Sequence, residues 1–321
     1  MMQRLQRGAA LLAAMLTVTL VATFAAASLW QQWRSVEVEG ADRLRVQSAW
    51  ILGGALNWAR LILREDARAG IADHLGEPWA IPLQEARLAT FLAADRNVSV
   101  EGSDAENVFL SGQIIDLQSK LNVTGLYQAG VSQPKQLQAF GHLFATLGLP
   151  AQELATMNER LRFASDISIE NRSAARATLM PSRMEQLQWL GLSPQTIAAL
   201  EPHVTILPSA VAKLNLNTAS AEAIQAVAAI SLADAQKLVA ARQGQFFRSL
   251  SDVQALLPPD TSLDANLVGM NSKYFEVRGR LRIDNVVIEE RSVVERDGLA
   301  VRIVTRERGA APSTVPAPAP R

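Results

Sequence analysis

The chain has 321 residues, room for two ordinary domains, and its 31 Lys+Arg balance 31 Asp+Glu at a net charge of zero and a pI near 6.9. That balance argues against a protein whose main work is coating nucleic acid, which needs surplus cations to neutralise phosphate. The absence of cysteine removes thiolate catalysis, disulfides and Cys-ligated metals, and the three histidines, His74, His142 and His203, have no ligand-like spacing.

From Ala9 to Leu29 the sequence reads AALLAAMLTVTLVATFAAASL without a charge. At 1.5 Å per residue a helix of this length spans about 30 Å, enough to cross a bilayer. The leader before it carries Arg4 and Arg7 and no acid, while the first acids are Glu37 and Glu39. Positive charge stays cytoplasmic, so the bulk of the chain is expected outside the inner membrane. A secretory signal cut near Ala25-x-Ala27 fits poorly, because the apolar block exceeds the usual ~7–15 residues. A plain anchor leaves Gly8 unexplained. Set between the basic leader and the apolar helix, Gly8 resembles the type IV prepilin signal. That resemblance implies cleavage by a prepilin peptidase between Gly8 and Ala9 and methylation of the new terminus at Ala9. Ala13 occupies the fifth position after the cut, where pilin-like subunits usually carry glutamate. The minor pseudopilin K family of the type II secretion system is known for lacking it.

Past the lipid, Ile51, Ala55, Ala59 and Ile62 continue an apolar stripe at helical spacing, so one long helix is expected over about 9–69. Trp30 and Trp33 suit an interfacial belt, Gly53-Gly54 is a weak point, and Gly70 is a stop. The segment Leu75–Leu92 and an acidic loop, Glu101–Asn107, lead to a strand-like alternation around Phe109–Leu117. Pro134 to about Ser272 reads as almost wholly helical. From Tyr274 a period of two returns, with Phe275, Val277, Leu281 and Ile283 on one side and Glu276, Arg278, Arg280 and Arg282 on the other. Asp297-Gly298 predicts a hairpin between Val286–Arg296 and Leu299–Arg306. The tail from Gly309, GAAPSTVPAPAPR, reads as disordered.

Leu214-Asn215-Leu216-Asn217-Thr218-Ala219-Ser220 precedes two predicted helices, Ala221–Ala229 and Leu232–Arg242, whose apolar positions Ile224, Val227 and Ala228 face Ala235, Leu238 and Val239. Ser231 with Asp234 resembles a capping pair. The unit resembles a helix-hairpin-helix, which in competence proteins grips DNA phosphate through a Gly-rich turn. Here the turn is Ala228-Ala229-Ile230-Ser231, with no glycine, which favours a structural unit over a phosphate grip. No nucleophile elbow, His-Glu-x-x-His, phosphate loop or dinucleotide fingerprint occurs. The acid pairs Glu65-Asp66 and Glu289-Glu290 read as solvated surface, since sequence neighbours point apart.

Four pieces in order carry a resemblance to pseudopilin K beyond the leader: Glu77-Pro78-Trp79-Ala80, Asp116 to Asn122, Leu214 to Ser220, and Ser272-Lys273-Tyr274-Phe275. The resemblance implies an α+β fold: a long N-terminal transmembrane helix and a pseudopilin-type antiparallel sheet, interrupted by a large all-helical insertion with a helix-hairpin-helix-like unit. The expected division is leader 1–8, membrane span 9–29, helix and first part of the αβ domain 30–132, helical insertion 133–272, closing sheet 273–308 and tail 309–321. It implies a non-enzymatic subunit at the tip of the pseudopilus. That subunit would be a single-pass protein of the bacterial inner membrane with a periplasmic C-terminal domain, and its partners would be minor pseudopilins of the I and J types and the prepilin peptidase. No nucleic acid and no cofactor are expected. Family resemblance also implies calcium in the insertion, held by an Asp-Trp-x-Asp-x-Asp run. The run is missing, and Asn158, Glu159 and Asp166 are the oxygen donors in its place. The rival reading is a membrane-anchored periplasmic DNA-binding protein of the competence type.

Overall fold

The computed structural model describes residues 3–70, 72–93, 107–128, 131–165 and 178–310. The acidic loop through Glu106, Asp166 and the tail from Ala311 lie outside the described residues. The chain divides into two compact units, Met1–Gly54 and Ala55–Arg321. Helix α1 runs over Gln3–Ala69 and continues through Gly53-Gly54; Gly70, at φ +64°, ends it in the left-handed region that glycine adopts without steric penalty.

In the first unit Leu11, Leu12, Leu16 and Phe24 are exposed, and the helix has a mean hydropathy of 2.2 in its most apolar stretch. It is long and apolar enough to cross a membrane. The rings of Trp30 and Trp33 lie 5.4 Å apart, tilted by 45°, and both are exposed.

In the second unit, strand β1 (Leu83–Arg87), helix α2 (Leu88–Ala93) and strand β2 (Val108–Asp116) come first. Short strands β3 (Leu121–Asn122), β4 (Tyr127–Gln128) and β5 (Val131–Ser132) follow. Helices α3 (Pro134–Thr146), α4 (Ala151–Ser165) and α5 (Pro194–Leu200) then lead to β6 (Val204–Thr205) and β7 (Leu214–Asn215). Next are α6 (Ala221–Ala228), α7 (Leu232–Gly244), α8 (Leu250–Gln254) and β8 (Val268–Gly269). The long strands β9 (Tyr274–Ile283), β10 (Val286–Asp297) and β11 (Ala300–Ala310) close the chain.

The main sheet is antiparallel in the order β1-β2-β9-β10-β11. β2 and β9 are hydrogen-bonded neighbours although the helical body lies between them in sequence. Gly112 pairs with Gly279 across them, and a Cβ on Gly112 would stand 2.8 Å from the Arg278 carbonyl oxygen. One face of the sheet, through Phe275, Val277, Val294, Val301 and Ile114, packs on Leu56, Ala59 and Leu63 of α1 with Trp79 between. The buried stripe is therefore centred on Leu56, Ala59 and Leu63, and Ile62 sits at its margin rather than its middle. A second core fills the helical body around Phe140, Leu143, Met157, Leu161, Ile224 and Leu238.

Three sequence expectations change. The core of the helical body already takes in Leu121, Val123, Leu126 and Tyr127, ahead of the expected boundary at 133, because their apolar side chains fit under α3 rather than onto the sheet. The body is helical apart from the two-residue strands, of which β6 pairs with β3 and β7 with β8, both in parallel. At the other end, Gly309 and Ala310, expected in the tail, pair with Glu289 and Ile288 in β11.

Candidate functional site

Among the described residues the densest polar chemistry lies where the chain leaves the sheet after β2 and returns before β9. All four sequence pieces singled out above meet there. Asp116, at the end of β2, is buried and accepts through Oδ2 from Asn215 Nδ2 (3.1 Å), Thr218 Oγ1 (2.6 Å) and Ser272 Oγ (2.7 Å). Its Oδ1 takes the backbone N–H of Gln118 at 2.8 Å, the Asx-type turn that starts the short 3₁₀ helix Leu117–Ser119. Gln118 in turn accepts from Lys273 N (2.7 Å) and donates to the Lys213 carbonyl (2.8 Å), so both crossings are tied by one side chain.

Asn215 and Asn217 explain why the Leu214–Ser220 stretch needs amides. Asn215 Nδ2 donates to Asp116, to Ser272 Oγ (3.0 Å) and to the Asp73 carbonyl (3.2 Å), while Asn217 exchanges two hydrogen bonds of 2.8 Å with the backbone of Phe247. Ser220 then caps α6. These amides satisfy backbone groups of the loops that meet β7, at Asp73, Asn217 and Phe247.

Asp73 reaches the same place from the loop after α1. Its N–H donates to the Met270 carbonyl (2.9 Å), its Oδ2 accepts from Ser272 N (2.6 Å), and its Oδ1 pairs with Arg296 Nη2. Arg296 Nη1 bonds Asp66 Oδ2 at 2.6 Å, its Nη2 bonds the Ser272 carbonyl at 2.9 Å, and its guanidinium lies over the Phe275 ring. Trp79 closes the cluster with its ring edge-on to Phe275, 5.2 Å between centroids, and Nε1 donating to Glu77 Oε2 at 2.7 Å. Burial pushes the Asp116 carboxyl up to about 6 against the pull of its Ser272, Thr218 and Gln118 donors, and also raises Asp73 against Arg296. None of these groups combines an activated nucleophile with a base, and every strong partner is internal. The arrangement is a joint, and its chemistry is fastening.

The acid pairs are not both solvated. One member of each turns inward: Asp66 onto Arg296, and Glu290, which is 4% exposed, onto Arg306 and Arg308. Sequence neighbours do point apart, and one of the two directions is the protein. Glu276, which alternation places opposite the apolar side of β9, is likewise buried, between Arg278 and Arg291. Sequence reasoning also missed Asp73 and Arg296. The signal for Arg296 was its parity with Val294, which puts it on the inward face of β10 and demands a buried acid.

Gly8 and Ala9 lie within α1, and Ala13 is exposed with its carbonyl accepting from Thr17 Oγ1 at 3.1 Å. None of the three comes near the joint in sequence or takes part in it. In the region where calcium is implied, Asn158 Oδ1 is buried without a hydrogen-bond partner, but Glu159 is exposed on the adjoining helical position and Asp166 lies outside the described residues. Among the described residues the run therefore offers two oxygens about 100° apart on one helix, fewer than the six to eight that calcium takes. The α6–α7 pair forms as expected, with Ser231 capping α7 through Asp234 N (3.1 Å). Ala229 adopts φ +54°, the left-handed turn position where the sequence offers no glycine.

Two family models described as type II secretion system (T2SS) protein K match successive stretches, residues 119–209 and 214–271. The type II secretion system protein K of Pseudomonas aeruginosa is 27% identical, with 96% of this chain and 94% of that protein aligned. The protein K of Pectobacterium carotovorum is 25% identical over 96% of this chain and 98% of that protein. Among solved structures, a chain of the GspK-GspI-GspJ complex from the enterotoxigenic Escherichia coli type 2 secretion system has the same fold. Its TM-score is 0.66 at 17% identity, with 84% of this chain and 99% of that chain covered. Family matches on both halves of the helical body, end-to-end relatives and a shared fold agree: along nearly its whole length the chain is similar to type II secretion system protein K.

Proposed function

We propose that this subunit is a non-enzymatic cap at the tip of the pseudopilus, helping to start its assembly and supporting export across the outer membrane. The observation that carries the reading is the joint. The helical body is tied to the sheet at both crossings by buried hydrogen bonds to Asp116, Gln118 and Asp73, so it is carried as a fixed mass rather than on a loose linker. A fixed body of that size beside a small sheet obstructs the stacking of a further subunit. The I and J types of minor pseudopilin are the partners this reading names.

The remaining parts of the proposal concern the first unit. Residues 1–8 are the leader, removed by a prepilin peptidase after Gly8; Ala9 is then methylated; residues 9–29 stay in the inner membrane with the rest of the chain in the periplasm. Ala13 supports the tip position, because a subunit without a carboxylate in the bilayer has no need of an ammonium terminus stacked above it, and such a carboxylate costs about 2.5–3.5 kcal/mol there. Mass spectrometry of the membrane-extracted protein is expected to find methylated Ala9 at the terminus. An intact Met1, or a terminus near Ser28, overturns the processing. Duplex DNA binding at low salt would replace the whole reading with the competence type.

A further inference from the structure

We infer that the segment 72–80 is a proton-dependent clasp: the carboxylates of Asp66, Asp73 and Glu77 hold the end of α1 to the joint while the cluster keeps one proton, and loosen it when that proton leaves.

The geometry sets the charge count. Oxygens of Asp66 on α1 and of Asp73 and Glu77 on the loop after it lie within 4.8 Å of one another. Facing them from β10 is one cation, Arg296, whose guanidinium is already shared between Asp66 and Asp73. Among the described residues no Lys or Arg pairs with Glu77. Its Oε2 accepts from His74 N (2.9 Å) and Trp79 Nε1 (2.7 Å), and its Oε1 stands 4.0 Å from His74 Nε2. His74 does not supply the missing charge, because burial lowers its pKa and its ring is stacked on Phe246 at 4.0 Å. From β2, Asp116 faces Asp73 and adds a further acid, itself satisfied by Asn215, Thr218, Ser272 and Gln118. With all three carboxylates ionised the cluster would hold three negative charges against one positive in a largely dry place, which is unfavourable. One proton relieves it, and Glu77 is where it sits.

Burial first, and then the charges of Asp66 and Asp73, push the Glu77 carboxyl up to about 7 against its two hydrogen bonds. The folded form therefore binds this proton more tightly than an opened form, in which Glu77 returns towards 4.5. The resulting stabilisation is complete below the ordinary carboxylate value and is lost as pH climbs towards about 7, with the opening equilibrium rising roughly tenfold for each pH unit inside that window. The clasp matters because Asp73, three residues beyond Gly70, bonds Met270, Ser272 and Asn215 at once.

Hydrogen exchange read by mass spectrometry on the full chain in detergent micelles tests the clasp at pH 5 and pH 7, after correction for intrinsic exchange. Peptides covering 72–80 and 268–274 are expected to open more than tenfold more often at pH 7, while the β10–β11 hairpin changes little. Glu77→Gln keeps an acceptor for His74 N and Trp79 Nε1 without the charge, so it should hold the acid-form protection at both pH values. Asp66→Asn removes a facing charge from another element and should move the transition to lower pH. Equal wild-type protection at the two pH values overturns the inference, as does a pH response that survives in Glu77→Gln. If Glu77→Gln does not fold, an unmoved transition in Asp66→Asn overturns it alone.

Discussion

Asp116 is the residue on which most of the joint converges, and the consequence of removing it follows from what would be stranded. Asp116→Ala takes the short acceptor from the Thr218 and Ser272 hydroxyls and from the Gln118 N–H, and leaves the Asn215 amide only Ser272 Oγ and the Asp73 carbonyl, in a site closed to water. Each buried orphan costs about 1–3 kcal/mol, partly recovered by rotating the hydroxyls, so a net destabilisation of about 3–5 kcal/mol is expected in urea unfolding of the second unit. A loss below about 1 kcal/mol would mean that the hydroxyls and amide find other partners. Asp116 was legible in the sequence as part of a quoted piece, but its three side-chain partners were not. They come from positions about a hundred residues and more away, and nothing local in Thr218 or Ser272 marks them as turned inward. Arg296 was half legible: period two fixes its face, but only the fold supplies Asp66 and Asp73 opposite it.

At the scale of elements, periodicity worked where one face of an element is apolar. β9 and the β10–β11 hairpin were readable because alternation and Asp297-Gly298 act over a few residues, and α1 because its apolar run is continuous. It failed where charge is buried by pairing, at Glu276 and Glu290, since a salt-bridged glutamate has the same sequence signature as a solvated one. The small strands β6, β7 and β8 were invisible, being two residues long, too short to show an alternation. The wedge between α1 and the sheet gives the prediction proper to this scale. Trp79 is 1% exposed, packs on Phe275 and fills the space beside Leu56, Ala59 and Leu63. Trp79→Ala should destabilise the second unit by about 3–5 kcal/mol through the cavity it leaves, and Trp79→Phe by less, with only the hydrogen bond to Glu77 and part of the ring lost. Thermal unfolding of the two variants side by side checks the order, and an equal loss would assign the effect to the hydrogen bond rather than to the ring.

For the molecule as a whole, the helical body is an excursion from a sheet that is complete without it. Asp116 and Phe275 are register partners on adjacent antiparallel strands, so the ends of β2 and β9 already lie side by side where the excursion begins and finishes. Replacing residues 117–274 by a short Gly-containing turn should therefore join them as a hairpin. The joint's carboxylates would then face water instead of a dry interior, so Asp116 and Asp73 need no replacement partners, and Arg296 keeps Asp66 and Asp73. The core formed by α1, Trp79 and the sheet draws nothing from the removed segment except the return crossing at Tyr274, which makes folding of the shortened chain the expected outcome. On the capping proposal such a chain is inserted, processed and stable in the membrane, yet fails to restore export in cells lacking the full-length subunit, because nothing then blocks stacking beyond the tip. Comparing export by the shortened and full-length chains at matched membrane levels decides it: normal export by the shortened chain would remove the capping role while leaving the similarity to protein K, the sheet and the membrane helix as they are.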